Sequence, residues 1–220
     1  MRGIKEEMIE LIKKNKISTT EVADCMGKAG LFENSHAVNR GHFAVGTVRW
    51  VYAYDNSNYT VHEQIRDTQP GDIVLIEAFN CGERSTIGEL VTKFIVLYKE
   101  AAAVITNGNL RDGNDLIKQN YPVWCKGLSP IGCFNKKPER ELDEEIRKAH
   151  YEMYDGSIAV CDDSGVVIIP KELHTREFIQ KLNQIEEQED IWFTYLDRYK
   201  WDTFDIVCLK KYLKSEEEKR

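Results

Sequence analysis

Residues 72 to 112, DIVLIEAFNCGERSTIGELVTKFIVLYKEAAAVITNGNLRD, constrain the fold more than any other stretch of the chain. Asp72 to Phe79 is dense in Val, Ile and Leu and reads as a buried strand. Ile87, Leu90, Val91, Phe94, Ile95 and Tyr98 recur at the spacing of one helical face. Ala102 to Thr106 is a second short apolar run, closed by Asn107 and Gly108. Strand, helix, strand at this length is a βαβ unit, with parallel strands and a right-handed crossover.

That geometry locates a site. Parallel strands point their carboxyl ends the same way, so the loops at 80–87 and 107–113 should flank one crevice, where open α/β sheets bind ligands. The first loop feeds a helix N-terminus at Gly88-Glu89-Leu90-Val91. Its free N–H groups and positive dipole end suit a carboxylate or phosphate. The second loop carries Arg111 and Asp112. Arg can grip a carboxylate or enolate oxygen with two hydrogen bonds. Asp is a hard oxygen ligand suited to Mg²⁺ or Mn²⁺.

Whole-chain properties narrow the partners. At 220 residues, 42% hydrophobic and 30% charged, the chain has the composition of a globular protein with a sizeable core. Its formal net charge of -7 argues against direct nucleic-acid binding, which needs a basic surface. The six cysteines lack zinc-type spacing and read as reduced thiols; Cys81, in the first site loop, is either a small neutral loop residue or a reactive thiol. No apolar run approaches the ~20 residues of a membrane span, and MRGIKEEMIELIKK has no signal-type core, so a cytoplasmic location is expected.

Elsewhere, Ile4, Met8, Leu11 and Ile12 stripe a first helix, and Ser18 or Thr19 caps a second that ends near Gly27. Asp24 in it has a solvated or capping role. His36 and His42 read as surface residues. Phe43 to Ala53 is a long β-prone run, Val61 to Asp67 a short helix, and Pro122 to Cys125 a short strand. Leu142, Ile146, Ala149 and Met153 mark a helix within 139–155, expected to shape a crevice wall or a subunit contact. Asp162-Asp163-Ser164-Gly165 turns a β-hairpin. Past Pro170 a helix leads into an aromatic stretch, 191–213, with interleaved acids. It is a poor nucleic-acid platform and a better packing surface for the domain or a neighbouring subunit. The final SEEEKR is expected to fray.

The ordered set Pro70-Gly71-Asp72, Gly88-Glu89-Leu90, Gly108-Asn109-Leu110-Arg111-Asp112, Pro122-Val123 and Asp163-Ser164-Gly165-Val166-Val167-Ile168-Ile169-Pro170 resembles a family over residues 17 to 172. That family joins the regulator of ribonuclease activity A to the class II 4-hydroxy-4-methyl-2-oxoglutarate aldolases. The resemblance implies a swivelling β/β/α single domain over 1–174, followed by a helical, aromatic-rich extension over 175–220. It implies a metal-dependent lyase that cleaves a 2-oxo acid to pyruvate, with oxaloacetate decarboxylation as a side reaction. Gly88, Glu89, Leu90, Val91 and Arg111 would hold substrate, Arg111 and Glu89 would be catalytic, and Asp112 would bind Mg²⁺ or Mn²⁺. A homotrimer, or a multiple of one, follows from the same likeness. The family's other branch implies a non-catalytic regulator that binds a ribonuclease or another protein. One departure is Asn107, where the family has Asp; another is a one-residue longer gap from Glu89 to Arg111.

Overall fold

The longest strand is β2 (Ala44–Tyr54), and the fold of this computed structural model, which describes residues 3–213, grows outward from it. Beside it lies β3 (Ile73–Phe79), then β5 (Ala103–Thr106) and β7 (Val123–Cys125), all mutually parallel. On the other side β9 (Ile158–Asp162) and β10 (Gly165–Ile169) form an antiparallel hairpin. The two-residue β1 (His36–Ala37) pairs with β7, giving the order β1-β7-β5-β3-β2-β9-β10. Just upstream, Leu31 bridges to Val167 of β10 and the Phe32 N–H donates to the Val166 carbonyl. Residues 31–37 therefore reach from one sheet edge to the other and nearly close the sheet into a barrel, which covers edges that would otherwise be open to pairing.

Alternation along the strands divides two cores. Ile73 and Leu75 of β3, Ala103 and Ile105 of β5, and Trp50 of β2 point inward with Phe32, Trp124 and Val166. Val74, Ile76 and Val104 point outward, under Ile87, Val91, Ile95 and Leu116. Both faces of β3 are covered, which is why its sequence is an unbroken apolar run and not an alternating one. A third core forms where α1 (Ile4–Asn15), α2 (Thr19–Cys25) and the start of α7 (Arg176–Asp197) pack on the hairpin through Met8, Ile12, Val22, Phe178 and Leu182. Ser18 caps α2 in a capping box with Glu21, and Asp24 pairs with Lys28 at 2.7 Å. Asp162 turns the hairpin by accepting the Ser164 N–H, as its turn chemistry predicts, and also receives the Thr19 N–H and hydroxyl.

Two expectations need correction. The stripe from Ile87 to Tyr98 is not one buried helical face. Ile87 ends strand β4 (Ser85–Ile87), the helix α4 is only Glu89–Lys93, and Phe94–Tyr98 is a π-helical turn closed by the Lys99 N–H on the Phe94 carbonyl. The wider π turn rotates later residues off the α-helical register. Val91 and Ile95 are buried, whereas Leu90 and Tyr98 are 76% and 71% exposed.

The second correction concerns α6 (Glu144–Tyr154). Of its expected stripe, Leu142 is buried, but Ile146 and Met153 are exposed. Its sheet-facing side is His150 and Tyr154, with half-exposed Tyr151 at the margin; they meet Phe79, Phe32 and Trp50 edge-on. The inward face is aromatic and amphipathic, so an aliphatic count misplaces it. The helix covers β2 and does not line the crevice beside Arg111.

The aromatic tail divides in two. Only the first half of α7 packs on the domain. Tyr195, Trp201, Ile206 and Tyr212 gather into a separate cluster of their own, with the Tyr195 ring centroid 4.6 Å from that of Trp201. The expected fraying of SEEEKR lies outside the described residues. Among the described residues, no helix is long and apolar enough to cross a membrane.

Candidate functional site

The loops after β3 and β5 are stitched together by a second, three-stranded sheet: β4, β6 (Asn109–Leu110) and β8 (Gly127–Leu128), in the order β4-β6-β8. Its strands are parallel, and the Arg111 N–H donates to the Ile87 carbonyl at 3.1 Å. Sequence patterning could not reveal strands of two or three residues, whose partners are distant in the chain. They nevertheless fix where Arg111 and Asp112 stand.

Asp112 has φ +60°, a left-handed conformation that Asp tolerates better than most residues, and it opens α5 (Gly113–Lys118). Its Oδ2 accepts the Glu89 backbone N–H at 3.0 Å and lies 3.7 Å from Arg111 Nε. So one of the N–H groups expected to await an anion at the start of α4 is already taken by Asp112. Gly88 must be glycine for steric reasons: a Cβ there would lie 2.3 Å from Asp112 Oδ2 and 2.7 Å from Arg111 Cγ. Arg111 and Asp112 side chains remain 49% and 41% exposed, open to a ligand.

Around them is a cleft of about 70 Å³, lined by Gly88, Leu90, Val91, Arg111 and Asp112 from the expected set. Glu89 differs from that set. Its backbone meets Asp112, but its Oε1 accepts the Tyr121 hydroxyl at 3.4 Å, and it is not among the cleft-lining residues. Asn107 accepts the Ala78 N–H at 2.8 Å and so staples β3 to the loop after β5; an amide there is a structural tie.

Asn58, His62, Gly132, Cys133 and Asn135 also line the cleft and were not anticipated. They come from α3 (Tyr59–Gln64), its N-cap, and the segment after β8, far from Arg111 in sequence, and carry no motif. Burial lowers the His62 pKa below its ordinary 6.5 and favours the neutral imidazole. Asn58 Nδ2 donates to the Thr86 carbonyl, while its buried Oδ1 has no hydrogen-bond partner. His36 is exposed, His42 meets Asn120 at 3.0 Å, and neither reaches the cleft.

Two larger grooves, about 370 and 410 Å³, flank α6 and share Tyr52, Glu144 and Arg147. Size favours them; the convergence of a guanidinium, a carboxylate and a glycine-lined turn favours the small cleft.

A family model described as RraA-like, Aldolase/RraA, matches residues 19–168. The chain belongs to that family. A relative from Halalkalibacterium halodurans, named "Putative 4-hydroxy-4-methyl-2-oxoglutarate aldolase", is 26% identical over 156 residues, 70% of this chain and 73% of its own. Among solved structures, an uncharacterized Pseudomonas syringae protein superposes with TM-score 0.70 at 19% identity, covering 93% of this chain and 98% of its own. Streptomyces coelicolor RraAS2, described as an unusual member of the RNase ES inhibitor RraA protein family, gives 0.67 at 18%, covering 84% and 96%. These structural likenesses establish the Aldolase/RraA fold: a mixed α/β domain with a nearly closed, barrel-like sheet and helices at both ends.

Proposed function

We propose that the protein is a divalent-metal-dependent lyase that cleaves a 2-oxo acid to pyruvate and decarboxylates oxaloacetate as a side reaction. The observation that carries this reading is the meeting of Arg111, Asp112 and the Gly88–Val91 turn in one cleft at the carboxyl ends of β3 and β5. Among the described residues no three His, Cys, Asp or Glu side chains gather as a metal cluster. A single half-exposed carboxylate fits a hard cation that keeps most of its water, so Asp112 would hold Mg²⁺ or Mn²⁺. Such an ion, when bound, supplies Lewis-acid polarisation of the substrate's keto and carboxylate oxygens.

The chain's own groups do the rest. The Glu89 N–H orients the Asp112 carboxylate. Gly88 leaves room for the Arg111 and Asp112 side chains to pack over the turn. The N–H groups of Leu90 and Val91, in the first helical turn, have no intrahelical partner and suit a carboxylate. Arg111 donates to the enolate oxygen, where charge grows as the C3–C4 bond breaks. His62, which lines the cleft and favours its neutral form, is one group able to move a proton; Glu89, whose carboxylate meets Tyr121 outside the cleft lining, is the other and would have to turn towards the substrate.

We place this chemistry in residues 1–174 and treat 175–220 as an appended segment. We also propose a cytoplasmic homotrimer, or a multiple of one, because Leu90, Leu97 and Tyr98 leave an apolar face open beside the cleft. That same face supports a second reading, a non-catalytic regulator that docks a ribonuclease or another protein. Pyruvate release from a panel of 2-oxo acids, with and without Mg²⁺, separates the two. Metal-dependent turnover is the expected result; no divalent-metal binding, together with capture of a ribonuclease, hands the site to the regulator reading. Light scattering that finds a monomer at micromolar concentration defeats the trimer.

A further inference from the structure

Cys81 and Cys133 stand apart from the other cysteines. They are 52 residues apart in sequence yet lie in one buried cluster, which also holds Cys125, and only these two share a backbone frame. The backbone holds them together from both sides. The Asn56 N–H donates to the Asn80 carbonyl, and the Asn56 carbonyl accepts the Phe134 N–H, so the residues next to Cys81 and Cys133 hang on one common residue. The Cys133 N–H donates to the Ser85 carbonyl, and the Arg84 N–H to the Cys81 carbonyl. Within this frame the two thiols meet side chain to side chain.

We propose that Cys81 and Cys133 are a site of reversible oxidation that closes to an intramolecular disulfide under a peroxide. The Cys81 sulfur attacks one peroxide oxygen; an S–O bond forms, the O–O bond breaks, and hydroxide leaves to become water. The Cys133 sulfur then attacks the Cys81 sulfur; the S–S bond forms, the S–O bond breaks, and the second water carries away the Cys133 proton. Two thiols are oxidised and one hydrogen peroxide is reduced to two waters. A thiol reductant reverses the change.

The surroundings favour this pair over the others. The contact with Cys133 and the Asn56 N–H lower the Cys81 pKa, and the same contact raises that of Cys133; at rest the Cys81 S–H donates to the Phe79 carbonyl at 3.4 Å. Cys81 is thus the more readily ionised, attacking thiol and Cys133 the resolving thiol. Cys25 and Cys125 are pushed up to about 11, chiefly by burial, and fully buried Cys161 is raised as well. Cys133 lines the cleft beside Arg111 and Cys81 does not, so a small oxidant must reach Cys81 from the Cys133 side. A cross-link here ties the 131–135 wall of that cleft to the loop after β3. The inference does not depend on which reaction the cleft performs.

The test is titration of the whole reduced chain with hydrogen peroxide, followed by thiol counting and peptide mass mapping without reductant. Free thiols should fall from six to four (six less the pair), restored by dithiothreitol, with a peptide pair joining Cys81 to Cys133 that is lighter by two hydrogens. C133S should retain its fold and instead leave a sulfenic acid on Cys81 that a dimedone probe traps. A C25S/C208S background removes the less buried thiols, and the same internal link should still form there. Retention of all six thiols overturns the proposal. So does a link that involves Cys25, Cys125, Cys161 or Cys208 in place of this pair, or oxidation that dithiothreitol does not reverse.

Discussion

The cleft at Arg111 and the grooves beside α6 make opposite uses of the same sheet. The grooves are several times larger, about 370 and 410 Å³ against about 70 Å³, and have an aromatic floor in which Trp50 and Tyr52 stack with ring centroids 5.3 Å apart. Their charged side chains are loose surface groups: Arg147 and Glu144 are 50% and 88% exposed and 3.8 Å apart. Glu77, buried behind them, accepts Trp50 Nε1 at 2.6 Å and His150 Nδ1 at 2.8 Å. In the small cleft, the backbone does the positioning, through short parallel strands and one N–H on Asp112, and leaves the Arg111 and Asp112 side chains half free. Space comes from how side chains pack; chemistry comes from charged groups held by backbone and not consumed by it.

The sharpest way to break this contrast is Asp112→Ala, which should remove most divalent-metal affinity and nearly all turnover, because the proposed ion has no other protein carboxylate in the cleft. Asp112→Asn separates charge from shape: it tolerates the left-handed backbone and can still accept the Glu89 N–H, yet should bind Mg²⁺ far more weakly. Metal titration with pyruvate assay reads both, and equal metal binding by Asp112→Ala ends the mechanism. Next, Arg111→Ala should spare metal binding and lower the rate by about 10²–10³, the usual cost of losing a transition-state donor. Gly88→Ala should displace the Asp112 carboxylate, since its Cβ would sit 2.3 Å from Oδ2, and so weaken metal binding without touching any charged residue.

Stability probes sharpen the other side of the comparison. Glu77→Ala strands the indole N–H and the imidazole of His150, and should cost about 1–3 kcal/mol in chemical denaturation while leaving Mg²⁺ affinity unchanged. A smaller effect is expected from pH. Burial lowers the His62 and His174 pKa values below 6.5, so the unfolded chain takes up protons before the folded one as pH falls. Their contribution is complete above 6.5 and is lost progressively below it, so the melting temperature should drop on acidification. His62→Gln should flatten part of that slope, and comparing pH–rate profiles of His62→Gln and Glu89→Gln identifies the group that moves the proton. Least of all, Arg147→Ala at the larger grooves should leave turnover as it is.

Much of this was legible in the chain. The Val and Ile run of β3 could only be a strand covered on both faces, and the βαβ unit brought residues 88–91 and 111–112 to the same end of the sheet. What stayed hidden has a common cause. Strands β4, β6 and β8 are too short for any period, and their partners are set by tertiary proximity. Asn58, His62 and Gly132 enter the cleft from elements whose sequence spacing says nothing about where they dock. The π turn after Lys93 breaks the 3.6-residue rhythm, so an apolar stripe that looked buried emerges at the surface. The inward face of α6 is His and Tyr, which a search for aliphatic residues passes over.

The small β4-β6-β8 sheet also decides how this chain can change length. Each of its strands comes from a different loop, so one residue added within 80–87 or 107–113 would slip a parallel register and carry Arg111 off its place beside Asp112. The exposed connection around 137–141, after the last residue that lines the cleft, pairs with no strand. Length variation among related chains, and grafts made by design, should therefore collect in that connection and at the tail, while the two crevice loops keep their lengths.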